Sequence, residues 1–238
     1  MSAPVTVVLV HGAFAESSSW SGVVADLQGR SIPAIATANP LRGVASDADN
    51  VRRAAESVGG PVLLVGHSYG GAVITAAAAD SDVVRGLVYV AAFAPDVAET
   101  SLGLTAQFPG STLGDTVRPI PLGDGTNDLI VDRELFPGQF AGDVPLEEAR
   151  IAAATQRAVR DAALDEPQPA GTPAWRSLPS WFVFGTADKN IPVDGLRFMA
   201  QRAGSLRTVE VEGASHSVMV SNPAVVADLV AEAHAHLS

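Results

Sequence analysis

Short apolar runs alternate along the chain with segments of helical pattern. Val5 to Val10, Ile32 to Ala36, Val62 to Val65, Leu87 to Ala91, Trp181 to Phe184 and Thr208 to Val211 read as strands. Helices are expected to begin near Ser19, Ser46, Gly70, Pro192 and Pro223, the two prolines standing where a missing N–H costs the first turn nothing. This alternation predicts an α/β architecture, a mostly parallel sheet with helices on both faces. It fails between Pro95 and Pro179, where prolines and glycines recur and acidic residues collect. One clearer helix is expected there, from about Leu146 to Ala163. The reading is a single domain over 1–238 with a cap insertion at about 96–178.

Val62-Leu63-Leu64-Val65 runs straight into Gly66-His67-Ser68-Tyr69-Gly70-Gly71 and then into the alanine-rich run Ala72 to Ala79. Gly-x-Ser-x-Gly alone is a weak signal, but between a buried strand and a helix it is the setting of a nucleophile elbow. A serine in that sharp turn holds its hydroxyl above the sheet on a strained backbone, and Gly66 and Gly70 let strand and helix approach closely.

A serine hydroxyl needs a base, and the base needs a carboxylate to hold its tautomer. Five histidines are present. His67 lies inside the elbow, with its side chain expected to point away from the exposed side of Ser68. His11 directly follows the first strand, and His234 and His236 fall near the end of the last helix, solvated or favoured by its C-terminal dipole. His216 remains, in Gly213-Ala214-Ser215-His216 after the last strand and before Asn222-Pro223, which reads as an N-cap followed by a first-turn proline. The acid should fall between Ser68 and His216 in chain order. Asp188, in the loop after Trp181 to Phe184, fits; Asp96, in Ala94-Pro95-Asp96, is the competitor.

Acyl chemistry also needs two N–H donors for a developing oxyanion. Tyr69 is expected to supply one and Ala13, in His11-Gly12-Ala13-Phe14, the other. The cap is expected to line the site with residues such as Leu102, Phe108, Leu135, Phe136 and Phe140. Phe14, Ser217 and Met219 flank the candidate loops.

The motifs Leu9-Val10-His11-Gly12-Ala13, Val65 to Gly71, Val90 to Asp96, Asp188-Lys189-Asn190-Ile191-Pro192 and Gly213 to Pro223 together resemble the α/β-hydrolases. Within them, the likeness is to the branch holding plant salicylate methyl esterases, hydroxynitrile lyases and bacterial carboxylesterases of similar length. The resemblance implies a triad of Ser68, Asp188 and His216 and oxyanion donors at Ala13 and Tyr69. It also implies a sheet that starts on a central strand, without the preceding antiparallel strands of larger members. Lyases of the branch carry a threonine where this chain has Gly12 and a lysine where it has Ser217. Gly12 is therefore expected to leave room for a hydrolytic water and an acyl group, and hydrolysis of a small, neutral, largely apolar ester is favoured. Cyanohydrin-type lyase chemistry and a non-catalytic ligand-binding protein on the same scaffold stay open.

Composition narrows the partners. At 238 residues and 47% hydrophobic the chain can bury a full core, and a net charge of −11 opposes nucleic acid or an anionic membrane surface as a partner. Without cysteine there is no disulfide, thiolate nucleophile or Cys-ligated metal, and the chemistry implied needs no cofactor. Met1 to Val10 lacks a basic n-region, and no stretch approaches 18 uncharged apolar residues, so a cytoplasmic protein is expected. The expected partner is a small-molecule ester, with the assembly state open, a homodimer included.

Overall fold

The computed structural model describes residues 4–79 and 81–238; residues 1–3, at the start of the expected domain and amino-terminal segment, lie outside the described residues. The elements in chain order are β1 (Thr6–Val10), α1 (Ser21–Gly29), β2 (Ala34–Thr37), α2 (Val44–Glu56), β3 (Val62–His67), α3 (Tyr69–Ala79) and β4 (Val84–Val90). An insertion follows with α4 (Ser101–Ala106), α5 (Leu113–Thr116), β5 (Val117–Pro121), β6 (Asn127–Val131), α6 (Phe136–Phe140), α7 (Leu146–Thr155), β7 (Val159–Arg160) and α8 (Asp161–Asp165). The chain then completes its core with β8 (Ser180–Gly185), α9 (Val193–Arg202), β9 (Arg207–Val211), α10 (Val218–Ser221) and α11 (Pro223–Leu237).

Among the described residues the main sheet has the order β2-β1-β3-β4-β8-β9, with every neighbouring pair parallel. Val8 of β1 sits between Ile35 of β2 and Leu64 of β3. β3 and β8 are buried along their whole length, which is why they read as unbroken apolar runs. Successive strands step outward one way from β1 to β2 and the other way from β2 through β3 and β4 to β8 and β9. Right-handed crossovers therefore put α1 on one face and α2, α3 and α9 on the other. The packing agrees: α1 lies against α11, and α2 against α3. The direction of winding reverses between β1 and β3, so their C-terminal loops open a crevice where an α/β sheet binds its ligands.

Several expected boundaries move. α2 starts at Val44 because the carboxylate of Glu166, far along the chain, accepts from the Val44 and Ala45 N–H groups at 2.8 and 3.1 Å. The helix expected from Leu146 to Ala163 stops at Thr155. There Gln156 turns extended (ψ 139°), its side chain bonds both the N–H and the carbonyl of Val131, and Val159 pairs with Leu129 of β6. The stretch read as irregular holds a three-stranded antiparallel sheet, β5-β6-β7. Pro119 and Pro121 hide β5 from pattern reading, and they are tolerated because β5 is an edge strand. An unexpected turn of helix, α10, precedes α11, and Asn222 makes no side-chain cap; its Nδ2 reaches Asp143 and Ser221 instead. His234 is not simply solvated, since its Nε2 meets the Val5 carbonyl at 3.0 Å, and His236 packs edge-on against Trp181. Among the described residues no helix is long and apolar enough to cross a membrane.

Glu166 ties the insertion to the core, which makes its loss measurable. Glu166→Ala is expected to lower the unfolding free energy by about 1 kcal/mol or more by orphaning the first N–H groups of α2. Glu147→Ala, at an exposed first-turn position of α7, should cost no more than a few tenths of a kcal/mol. Urea midpoints of the two variants read the difference.

Candidate active site

β3 delivers Ser68 to the crevice on a backbone that sequence-local forces disfavour: φ is +53°, in the left-handed region. The turn is held by its surroundings. The Ser68 N–H donates to the Val90 carbonyl at 3.2 Å, and the Ser68 carbonyl accepts from Gly71 and Phe93 at 2.9 and 3.1 Å. A methyl on Gly66 would stand 2.6 Å from the Gly70 carbonyl, and one on Gly70 would stand 2.7 Å from the Val10 carbonyl. The turn can close only if both positions lack a side chain.

Two loops beyond β8 and β9 meet the hydroxyl. His216 Nε2 lies 2.9 Å from Ser68 Oγ, and His216 Nδ1 lies 2.6 Å from Asp188 Oδ2. The second oxygen, Oδ1, accepts from the N–H groups of Asn190 and Ile191 at 2.7 and 3.0 Å. With Asp188 accepting, Nδ1 carries the proton and Nε2 is left to accept from Ser68. Both side chains are shut from solvent, His216 at 1% and Asp188 at 0% exposure. Asp96 is elsewhere: its carboxylate pairs with Arg176, while its N–H donates to Glu99.

The other histidines near the crevice are buried and neutral. His67 lies under His216, ring centroids 4.7 Å apart, with Nε2 3.1 Å from the His216 carbonyl. Burial, reinforced by the neighbouring His216, holds His67 well below the usual imidazole pKa. His11 Nε2 accepts the Asn39 N–H at 2.9 Å, so Nδ1 donates to the Gly12 carbonyl, and burial lowers its pKa as well. His11 thus shapes the loop that carries Ala13. Phe14 sits in the left-handed region (φ +60°), and its N–H donates to the Arg157 carbonyl at 3.2 Å. That leaves Ala13 beside Tyr69, Ser68 and His216 at the floor of the cavity. The Tyr69 side chain points away from the cavity floor, where its hydroxyl donates to buried Asp47 at 2.9 Å.

A cavity of about 670 Å³ opens above Ser68. Of the residues expected to bind substrate, Phe14, Leu102, Phe108 and Phe140 line it. Phe136, Ser217 and Met219 do not: they line a second hollow of about 340 Å³ on the far side of Phe14 and Phe140, which wall both. The cause is the short α6, which stacks Phe136 behind Phe140 at 4.8 Å. Ser217 is turned away to donate to the Phe140 carbonyl at 3.0 Å, and Leu135 is exposed. Gly12 also departs from its expected role. It is not among the residues that line the cavity, and a methyl there would stand 2.6 Å from Ser68 Cβ and 2.7 Å from the His67 carbonyl, so its lack of a side chain lets the β1 loop approach the elbow. Pattern reading did not pick out Phe93, Leu113, Leu129 or Ile191, which also line the wall, and among the described residues no Asp, Glu, Lys or Arg lines the cavity. It also missed buried Gln139 and exposed Asp143, polar residues of the insertion that bond the loops carrying Asp188 and His216. A glutamine inside the apolar pattern Phe136-Pro-Gly-Gln-Phe140 was the available signal.

Comparison with known proteins gives a consistent likeness. The model of the alpha/beta hydrolase family matches residues 7–229. A probable hydrolase of Phoma sp. is 33% identical over 110 residues, covering 40% of this chain and 45% of the relative. An alpha-hydroxynitrile lyase of Arabidopsis thaliana is 27% identical over 173 residues, covering 68% of this chain and 66% of the relative. The chain thus matches less than two thirds of the length of either curated relative. The crystal structure of polyneuridine aldehyde esterase superposes with a TM-score of 0.84 at 18% identity, over 97% of this chain and 99% of that one.

The two buried neutral histidines give stability a calculable pH dependence. Both folded pKa values are lowered, so the unfolded chain takes up protons first as pH falls through about 6.5. Stability is complete above that value and is lost below it, by about 1.4 kcal/mol per pH unit for each histidine until its folded form also titrates. Urea unfolding at pH 7, 6 and 5 should show the loss, and His67→Asn should lessen its slope.

Proposed function

The chain belongs to the alpha/beta hydrolase family, and from that premise we propose that it is a serine hydrolase of the carboxylesterase type. Its substrate is a small, neutral, largely apolar ester, and no nucleic acid or membrane is a partner. The observation that carries this reading is the continuous hydrogen-bond path from Ser68 Oγ through His216 to Asp188 at the floor of a cavity without charged walls.

The mechanism follows from the proton positions. Ser68 Oγ attacks the ester carbonyl as His216 Nε2 takes the hydroxyl proton, and Asp188 stabilises the imidazolium through Nδ1–H. The carbonyl oxygen, now an alkoxide, lies toward the Ala13 and Tyr69 amides. Collapse of the tetrahedral centre breaks the ester C–O bond, and the alkoxide leaves as an alcohol with the proton from His216. A water then gives its proton to His216 and attacks the acyl carbon, and Ser68 departs with that proton to release the acid. None of these steps calls for a cofactor or metal.

Apolar walls select against charge, because an ionised group entering them loses hydration with no partner to replace it. The similarity to the Arabidopsis alpha-hydroxynitrile lyase makes cyanohydrin cleavage the second reading. Against it, a departing cyanide would find no Lys or Arg among the described residues of the cavity wall, and Ser217 spends its hydroxyl on Phe140.

Ser68→Ala is expected to lower kcat for p-nitrophenyl butyrate by about 10³-fold or more without shifting the melting temperature. Retained turnover would place the chemistry elsewhere. The wild-type chain should prefer that ester to its succinate half-ester analogue by about 10²-fold or more in kcat/KM. Cyanide release from mandelonitrile without ester turnover would select the lyase reading.

A further inference from the structure

We propose that Gln139 is a positioning residue for catalysis, holding the Asp188 loop from the insertion above it. The inference rests on the serine-hydrolase reading and goes beyond it by making the insertion part of the catalytic scaffold. Gln139 is 6% exposed, and all of its hydrogen-bonding groups are turned to this purpose. Its Nε2 donates to the Lys189 carbonyl at 3.0 Å and to Asn190 Oδ1 at 2.9 Å, while Oε1 accepts from Thr112 Oγ1 at 2.9 Å. A backbone carbonyl can only accept, so the amide's orientation is dictated by the Lys189 carbonyl.

The residues it grips flank the acid directly. Asn190 is the residue whose N–H donates to Asp188 Oδ1 at 2.7 Å, and Asp188 Oδ2 faces His216 Nδ1 at 2.6 Å. Lys189 Nζ reaches back to the Gly138 carbonyl, closing the clasp. The same short segment also grips the other loop. The Phe140 carbonyl accepts from Ser217 Oγ at 3.0 Å, and Asp143 Oδ1 accepts from the Ser215 N–H at 3.0 Å, on either side of His216. Residues 139–143 therefore set the spacing between the acid and the base from outside the strands that deliver them. Loss of Gln139 leaves buried Asn190 Oδ1 without a donor and the Lys189 carbonyl with the Thr112 N–H alone, at 3.0 Å, and so frees the Asp188 loop to drift. A drift of about 1 Å in a catalytic group costs up to about 10²-fold in rate.

Gln139 is not among the residues lining the cavity, so its loss should act on turnover and not on substrate contact. The test uses the full chain with Gln139→Met and Gln139→Glu, kinetics on p-nitrophenyl butyrate, and counting of competent serines with a fluorophosphonate label. Per labelled site, Gln139→Met should lose about tenfold or more in kcat while KM stays within about threefold. Gln139→Glu should be similarly impaired when ionised, and its rate relative to wild type should rise as pH falls, because a neutral carboxyl regains one O–H donor. Unchanged kcat per labelled site, or a loss confined to KM, would overturn the proposal. If Gln139→Met does not fold, a pH-independent ratio for Gln139→Glu overturns it alone. Wild-type chain that neither labels nor turns over ester refutes the serine-hydrolase reading itself, a distinct outcome.

Discussion

The structure depends most on the backbone at Ser68, which is held in the left-handed region where a side chain is strained. Such a conformation persists only when its surroundings over-determine it. Here they do so by proximity: the Gly70 carbonyl crowds Gly66, the Val10 carbonyl crowds Gly70, and Gly12 lies against Ser68 Cβ. The small residues of β1, β3 and α3 are therefore parts of one steric solution. The order of the sheet then follows, because β1 and β3 must be neighbours for the Gly12 loop to touch the elbow. That adjacency puts Ala13 and Tyr69 beside the same hydroxyl.

Much of this was legible from residues alone, for a physical reason. Strands buried on both faces must be apolar throughout, so β3 and β8 announce themselves, and the loops that follow them carry Ser68 and Asp188. His216 is legible because it alone among the histidines lies between the last strand and the last helix. The insertion was poorly legible because its order comes from pairs far apart in sequence. β5 contains two prolines and is mostly exposed, so it lacks an apolar signature. α7 ends at Thr155 because Gln156 pairs with Val131, which no local pattern announces. Phe136 and Phe140 both read as cavity walls; only the turn of α6 decides that one faces Ser68 and the other stands behind it.

Charge is distributed with a similar division. The chain carries a net charge of −11, yet many of its ion pairs, such as Arg197 with Glu210 and Arg160 with Asp124, sit at exposed positions where each adds little. The interior relies on neutral or fully bonded groups. His11 and His67 are kept uncharged by burial, and Asp188 has hydrogen-bond donors on both oxygens. A low-dielectric site of this kind strengthens the Asp188–His216 contact and penalises any stray charge nearby. The Asp188–His216 pair thus lies where a proton has to move.

The insertion contributes more than a roof. Its Arg157 carbonyl takes the Phe14 N–H, and the Arg157 guanidinium pairs with Glu16, so it fixes the loop that presents Ala13. Arg42, ahead of α2, donates to Asp128 and to the Ala158 carbonyl, and Glu166 caps α2, whose Asp47 accepts from Tyr69. Together with Gln139 and Asp143, these contacts reach the loops that carry Ala13, Asp188 and His216. A lid that swung as one body would have to break hydrogen bonds at each of them, and the buried ones, such as Gln139 Nε2 to Asn190 Oδ1, would leave an unpaired donor or acceptor. Leu102 and Ala106 of α4, with Pro109, Gly110 and Gly114 after it, line the cavity while exposed. The mouth therefore lies along α4 and the turn that leads into α5, and the bonded remainder of the insertion is wall. Sequence change in that wall alters the placement of the reacting groups as well as the shape of what they can accept.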